Sequence, residues 1–181
     1  MFCEEDFKTA ENIAGLLNSA DVVYCVYGSY AEVMYDILKK GDMNNDFDFL
    51  LRSDSENLTK AHSVLEKNFK LSRQLYDYVV SKIIINERDS KFELLFSDIL
   101  CPGLSKKSWP WENISELNGI KILPIEDFAV LKQHDLLVLK SGKERKSLER
   151  ILKKFPELNP GGIEARAKQL FSQPYYPTAI F

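Results

Sequence analysis

The sequence predicts an α/β (α+β) fold, in which a small mixed or antiparallel sheet is flanked by helices and followed by a C-terminal helical segment. Short runs of β-forming residues alternate with segments at helical spacing through the first two thirds of the chain. The polar ERDS between two apolar runs indicates a β-hairpin. From Pro124 onward only helical patterns recur. We therefore expect an α/β core over 1–124 and a helical segment over 125–181 packed on it.

Composition narrows the class of protein. The chain has 181 residues, 45% of them hydrophobic, and a net charge of −3. These values suit one well-buried domain and argue against a surface that binds nucleic acid throughout. Three cysteines without close spacing predict neither a disulfide framework nor a zinc site. No secretion signal or membrane-spanning run is found, so we expect a cytoplasmic protein with reduced thiols and no membrane partner.

The elements of the core follow from the spacing of apolar side chains. Helices are predicted where they recur every three to four residues between charges, and strands where β-formers run together. Gly41 stands where the second helix should end, and Ser55 or Asn57 should cap the third. The predicted helices cover residues 4–19, 30–39 and about 55–69, and the predicted strands cover 22–27, 46–52, 78–86 and 91–100.

The second part of the chain begins with a long, turn-rich loop over 101–118. Its Trp109 and Trp111 are expected to cap the core in preference to stacking on a base. A short edge strand is predicted over 119–123. Helices are then predicted over 124–139, 143–154 and about 162–171, with an apolar tail that docks against the body.

The stretch KGDMNNDFDFLLR, residues 40–52, holds a dense set of oxygen-bearing side chains. It is not an EF-hand loop, because Phe47 and Ser53 occupy the positions where that loop needs glycine and a bidentate glutamate. Asp46 and Asp48 instead lie two residues apart on a predicted strand, so they project from one face. Neighbouring carboxylates repel unless a proton or cation lies between them. A solvated strand face is the ordinary alternative.

Two other parts of the sequence could complete a site around these aspartates. Gly28 lets a phosphate approach the backbone at the start of a helix, and Ser29 adds a hydroxyl donor. Glu93 in FELLF could complete an acidic cluster and accept a proton from an attacking hydroxyl. If the strand register differs, Asp98 takes the place of Glu93 in the cluster. The ordinary alternative is that Glu93 faces solvent and has no role in a site. Hard oxygen ligands of this kind favour Mg²⁺ or Mn²⁺ over zinc.

This order of elements resembles the nucleotidyltransferase superfamily, which has a polymerase-β-like fold. The resemblance rests on a strand ending in Gly28-Ser29, the segment DFDF, and the later FEL. It is closest to small bacterial and abortive-infection toxin-type members, to which GIKILPIEDFAVLKQHDLLVLKSGKERKSLERIL is also similar. That branch has a Leu-Lys pair, which corresponds to Leu131-Lys132 here. The resemblance implies that Lys132 could contact nucleotide phosphates. Ser147 stands where the branch usually has an aspartate.

The resemblance implies metal-dependent transfer of a nucleoside monophosphate from a nucleoside triphosphate, such as ATP, to a hydroxyl, with release of pyrophosphate. The acceptor is unknown and could be RNA, protein or a small molecule. One alternative is an antibiotic-modifying nucleotidyltransferase, and another is an inactive nucleotide-binding or protein-binding module. The candidate residues are Asp46, Asp48 and Glu93 for catalysis and for binding Mg²⁺ or Mn²⁺, and Gly28, Ser29 and Lys132 for nucleotide binding.

Overall fold

The computed structural model describes residues 4–43, 46–76, 79–88, 90–96, 111–139 and 142–170. It confirms the predicted fold class. The helices are α1 (Glu4–Ser19), α2 (Gly28–Met34), α3 (Ser55–Leu65), α4 (Ile125–Leu139), α5 (Gly142–Lys154) and α6 (Pro160–Leu170). The strands are β1 (Tyr24–Tyr27), β2 (Asp46–Leu51), β3 (Leu71–Tyr76), β4 (Val79–Glu87), β5 (Ser90–Phe96), β6 (Ser115–Leu117) and β7 (Ile120–Ile122).

The strands form one open, mixed sheet in the order β3-β4-β5-β2-β1-β7-β6. Strand β2 runs antiparallel to β1 and parallel to β5. Strand β1 is also parallel to β7 on its other side. The predicted hairpin is confirmed, because β4 pairs antiparallel with β5 through Glu87 and Ser90. Strand β2 therefore lies in the interior of the sheet, with a neighbour on each edge.

An aromatic cluster fixes which way β2 faces. Phe47 and Phe49 are fully buried. The Phe47 ring stacks on Phe92 of β5 at 4.7 Å between centroids and meets Phe7 at 5.3 Å and Tyr30 at 5.0 Å. Each such side chain contributes about 2 kcal/mol by burial. A shift of one residue would turn both phenylalanines to the opposite face, so the packing holds the register and turns the alternate residues away from this core.

Asn57 joins α3 to the first two strands. Its Oδ1 accepts a hydrogen bond from the Val23 N–H at 2.7 Å, and its Nδ2 donates to the Val23 and Arg52 carbonyls at 3.0 and 2.9 Å. The predicted caps for α3 were wrong. Asp54 is the N-cap, because its carboxylate accepts from the Asn57 N–H at 2.9 Å, one residue before predicted Ser55.

Several predicted boundaries needed correction. Strand β1 begins at Tyr24, two residues later than predicted, and α2 ends at Met34 instead of continuing to residue 39. The apolar spacing does continue past Met34, but Asp36 adopts a φ of +54°, which ends the helical path. Gly41 consequently ends no α-helix and lies in a 3-10 turn over Lys40–Asp42.

Two strands were missed. Strand β3 is an edge strand whose central residues, Ser72, Arg73 and Gln74, are polar and give little β signal. Strand β6 is three residues long and falls inside the predicted loop. It pairs with β7, so β7 is not the edge strand we expected. Positive φ values of 52° at Asn118 and 77° at Gly119 make a two-residue hairpin turn, which the Asn-Gly pair signals in the sequence.

The described residues form two compact units, one with the seven strands and α1 to α3, the other with α4 to α6. In the part of the chain that the structure describes, no helix is both long and apolar enough to cross a membrane. Cys25 is buried, which raises the pKa of its thiol to about 12. Some predictions lie outside the described residues: those on Cys3, Asp98, Cys101, Trp109, most of the long loop and the C-terminal tail.

Candidate active site

Register across four strands brings the three predicted acids onto one face of the sheet. Asp48 on β2 pairs with Tyr27 on β1 and with Glu93 on β5, and Glu93 pairs in turn with Ile84 on β4. Directly paired residues point to the same face, so Asp48 and Glu93 lie side by side. Asp46, two residues from Asp48, faces the same way. We call this surface the acid face.

The two aspartates differ in exposure, although they share a strand. Asp46 is exposed at the start of β2, whereas Asp48 is half-buried one row further into the sheet. Asp46 pairs in register with Lys91 of β5. The acid face therefore has a water-accessible end at Asp46 and a more enclosed row at Asp48 and Glu93.

Gly28 lies against Asp48 at the junction of β1 and α2. It has a φ of +68°, which side chains with a Cβ rarely adopt. A Cβ placed on Gly28 would overlap the Asp48 Oδ2 and would lie 3.3 Å from its Cγ. Glycine is thus required both by the backbone conformation and by the Asp48 carboxylate. Helix α2 is only seven residues long, so Gly28 is related to the site by this contact and not by a helix dipole. Ser29 follows Gly28 in α2 and is half-buried.

Two lysines hold the carboxylate of Glu93. Its Oε2 accepts from the Lys82 Nζ of β4 at 2.7 Å, and its Oε1 forms an ion pair with the Lys91 Nζ. The Glu93 side chain is 16% exposed, the Lys82 side chain 23% and the Lys91 side chain 41%. We call Lys82, Lys91 and their two contacts to Glu93 the lysine clamp.

The lysine clamp changes the ionisation of its members. Burial is the largest single influence and acts to raise the pKa of Glu93, but the hydrogen bonds from Lys82 and Lys91 and the charges of the two lysines together lower the pKa below its ordinary value. The hydrogen bond to Glu93 raises the pKa of Lys91, with further contributions from the charges of Glu93, Asp46 and Asp48. Lys91 is therefore coupled electrostatically to all three predicted acids.

Comparison with known proteins gives the fold a name. No protein-family model matches the sequence, and no curated protein matches it. Solved structures do match. JHP933 from Helicobacter pylori superimposes on 93% of this chain and 75% of its own, with a TM-score of 0.59 and 16% identity. The antibiotic-resistance factor ANT(2'')-Ia, solved in complex with adenylyl-2''-tobramycin, matches over 93% and 98%, with a TM-score of 0.58 and 12% identity.

A third neighbour, from Thermotoga maritima, is provisionally assigned as a nucleotidyltransferase. It matches over 82% of this chain and 96% of its own, with a TM-score of 0.54 and 18% identity. This chain has the nucleotidyltransferase-superfamily fold. The shared fold confirms the resemblance drawn from the sequence, and at these identities it specifies neither substrate nor acceptor.

The nucleotidyltransferase fold implies divalent cations, and the acid face can be tested for them. Asp46 and Asp48 offer hard oxygen donors from one face of one strand, which suits Mg²⁺ bound by one or two carboxylates together with substrate phosphates. Glu93 is different, because lysines take both of its oxygens. Within the described residues, no group of three or more Asp, Glu, His or Cys is arranged to hold a metal ion. The two aspartates fit as ligands, and Glu93 fits only after the lysines leave.

Lys132 lies on α4, in the other compact unit, and has its own partner. Its Nζ donates to Glu144 Oε2 of α5 at 2.9 Å and lies 5.5 Å from the centre of the Phe128 ring. The Lys132 and Glu144 side chains are 10% and 11% exposed. Ser147, at the position where the related branch usually has an aspartate, is buried on α5, the helix that carries Glu144. Lys132 is thus a buried, paired lysine and not the solvated one that its sequence context would normally give.

Sequence reasoning missed Lys82 and Lys91. The signal that could have found them is strand alternation, because Lys91 is two residues from Glu93 and shares its face. Lys82 requires the hairpin register as well, which pairs it with Leu95 and so places it diagonally next to Glu93. Glu93 therefore belongs to a charge network with Lys82 and Lys91 as well as to the acid face that it shares with Asp46 and Asp48.

Proposed function

We propose that this protein transfers a nucleoside monophosphate from a nucleoside triphosphate to a hydroxyl, with release of pyrophosphate and with Mg²⁺ or Mn²⁺ as cofactor. The observation that carries the proposal is the register of β1, β2 and β5, which sets Tyr27, Asp48 and Glu93 in one row, with Gly28 against the Asp48 carboxylate and Asp46 on the same face. The likeness to nucleotidyltransferases adds support for this class of chemistry.

Each residue of the acid face has a proposed role. Asp46 and Asp48 hold the divalent cations, which when bound polarise the phosphate oxygens and help to align the reactants. Gly28, which lies against Asp48, and Ser29, the next residue of α2, contact the phosphates. The acceptor oxygen attacks the α-phosphorus, the bond from that phosphorus to the β-phosphate oxygen breaks, and pyrophosphate leaves. Glu93 accepts the proton that the acceptor hydroxyl loses.

The acceptor can be approached through the neighbours. ANT(2'')-Ia was solved with an adenylylated aminoglycoside, and its likeness covers almost the whole of both chains. This observation favours an aminoglycoside hydroxyl as one acceptor to test, alongside RNA and protein. We keep nucleotide binding by Lys132 in the proposal as a secondary role, which requires Lys132 to separate from Glu144.

A non-catalytic module is the second candidate. The observation that favours it is the lysine clamp, because two ammonium groups beside the Glu93 carboxylate make it a weaker proton acceptor and a weaker ligand for a cation. In that case the protein would bind nucleotide through the acid face and transfer nothing.

Incubation with α-labelled nucleoside triphosphates, Mg²⁺ or Mn²⁺, and a panel of total RNA, protein and aminoglycosides separates these candidates. We expect label on one acceptor, dependent on the cation and lost in Asp46→Asn and Asp48→Asn. Asp42→Asn is the matched control, since Asp42 is an exposed acid just before β2 and outside the acid face. Cation-dependent nucleotide binding without transfer to any acceptor would instead favour the module.

A further inference from the structure

We propose that the lysine clamp is a phosphate-responsive switch: Lys82 and Lys91 neutralise Glu93 in the nucleotide-free protein and move to the phosphates of the bound nucleotide, which frees the Glu93 carboxylate. This inference rests on the proposed function, because it concerns the same site. It assigns binding roles to two residues that the sequence resemblance does not include.

The geometry makes Glu93 the shared anchor of two mobile cations. The lysines come from different strands and take different oxygens of one carboxylate. Both are long, flexible side chains that cover a range of positions without backbone movement. Lys91 is 41% exposed and lies opposite Asp46 in register, so its ammonium group is at the water-accessible end of the acid face.

The charges on the acid face explain why an exchange is needed. Asp46, Asp48 and Glu93 contribute three negative charges, and Lys82 and Lys91 contribute two positive charges. Without ligand, each lysine is favourably paired, because a half-buried carboxylate is costly without a cationic partner. The same pairing places a lysine on each oxygen of Glu93, so the carboxylate becomes a better proton acceptor once the lysines have left.

Nucleotide phosphates are the ligands that can compete for the lysines. A triphosphate carries several negative charges and many acceptor oxygens, and lysine binds phosphate readily as a point charge. Gly28, one of the two proposed phosphate contacts, directly follows Tyr27, and Tyr27 pairs with Asp48 in the row that contains Glu93. When the two lysine side chains move from Glu93 to the phosphates, each ammonium group keeps a negatively charged partner. The Glu93 carboxylate is then available to the acceptor hydroxyl.

The test measures two binding equilibria without turnover. Calorimetry with a non-hydrolysable nucleoside triphosphate and Mn²⁺ reports nucleotide affinity, and electron paramagnetic resonance reports Mn²⁺ binding to the nucleotide-free protein. In Lys82→Met/Lys91→Met we expect nucleotide affinity to fall by about tenfold or more, the order expected for loss of a charge-assisted hydrogen bond. We expect Mn²⁺ binding without nucleotide to become tighter, because Glu93 is then released. A purely structural clamp would leave nucleotide affinity unchanged.

Controls separate the switch from misfolding and from the proposed function itself. Lys60→Met removes a lysine with the same 2.7 Å distance to a glutamate, on α3, and should alter neither equilibrium. Lys82→Met/Lys91→Met/Glu93→Gln also removes the Glu93 charge that the double variant leaves without its lysines, so it should fold, bind nucleotide weakly and lose the gain in Mn²⁺ binding. If Lys82→Met/Lys91→Met and Lys82→Met/Lys91→Met/Glu93→Gln both bind nucleotide as tightly as the wild type, the switch is overturned and the proposed function is not. Failure of the wild-type protein to bind nucleotide with Mn²⁺ would overturn the proposed function and the switch together.

Discussion

Two of the lysine–glutamate contacts among the described residues, one on the acid face and one between α4 and α5, differ in their access to water. On the acid face, Glu93 is shared by two lysines, one of which is 41% exposed. Between α4 and α5, Lys132 and Glu144 form a pair in which each side chain is about one-tenth exposed. The same chemical groups are thus present in a cluster that a ligand can reach and in one that is closed.

Desolvation explains why the two clusters should behave differently. Removing one partner of a buried pair leaves a charge that water cannot stabilise, so the folded state is strongly penalised. The lysine clamp is less enclosed, because Lys91 is 41% and Lys82 is 23% exposed, so water can partly replace a lost partner and the cost to stability is smaller. We therefore expect the α4–α5 pair to maintain structure and the lysine clamp to serve the proposed binding role.

The largest effect is expected for the aspartates of the acid face. Asp48→Asn should lower the rate of nucleotidyl transfer by about 10³-fold or more, equivalent to about 4 kcal/mol of transition-state stabilisation. Its unfolding free energy should change little. Transfer assays and urea denaturation on one preparation provide the measurements. If Asp48→Asn retains most of the transfer activity, the reaction does not take place at the acid face, and the contrast between a binding cluster there and a structural pair at α4–α5 fails.

The next largest effect is expected at the buried pair. Lys132→Met should lower the free energy of unfolding by about 3 kcal/mol, because Glu144 is left buried without its partner. Lys132→Met/Glu144→Met should recover most of that loss, since two apolar side chains then replace two charges. Lys146→Met, at an exposed position of α5, is the control and should have little effect. A single variant as stable as the wild type would mean that the pair is hydrated in solution.

A smaller effect is expected at Gly28. Gly28→Ala should cost about 1–2 kcal/mol in unfolding free energy from its positive φ alone, and the added Cβ would displace the Asp48 carboxylate. Nucleotide affinity should fall with it. Gly15→Ala in α1 is a matched control of opposite sign, because nothing lies within 4 Å of a Cβ there and alanine favours the helix. Equal stability of the two variants would contradict the proposed contact.

The smallest effect is expected from the lysine clamp on stability. The lowered pKa of Glu93 means that its contribution is present above the ordinary glutamate pKa of about 4.3 and is lost as the pH falls through its folded value. The stability difference between wild type and Glu93→Gln should therefore be below about 1 kcal/mol at neutral pH and vanish in acid. Denaturation curves from pH 7 to pH 3 measure this difference. A difference that grows in acid would have the wrong sign for a lysine-paired carboxylate.

The alternation of Phe47 and Phe49 with Asp46 and Asp48 could be predicted because it is local to one strand. Strand periodicity alone divides that segment into a core face and an acid face. Glu93 was found as a candidate from its strand pattern, but its place next to Asp48 depends on the parallel pairing of β2 with β5. That pairing joins segments separated by a helix and two strands, which spacing does not specify.

Other features were beyond reach for different physical reasons. The partner of Lys132 is on the following helix, twelve residues away, and no local rule pairs those positions. Strand β3 owes its existence to pairing with β4 and not to its own polar residues. Strand β6 could have been predicted, because Asn118-Gly119 is a strong sequence signal for a two-residue hairpin turn.

The division of labour along β2 has an evolutionary consequence. Its aromatic residues pack in the core and its acidic residues face away from them, so the proposed chemistry could be lost by substitution without loss of the fold. A lineage released from selection for activity would keep the phenylalanines and replace the aspartates. Such descendants would remain well-formed scaffolds, available for recruitment to new roles in which the old acid face serves purely as a docking platform.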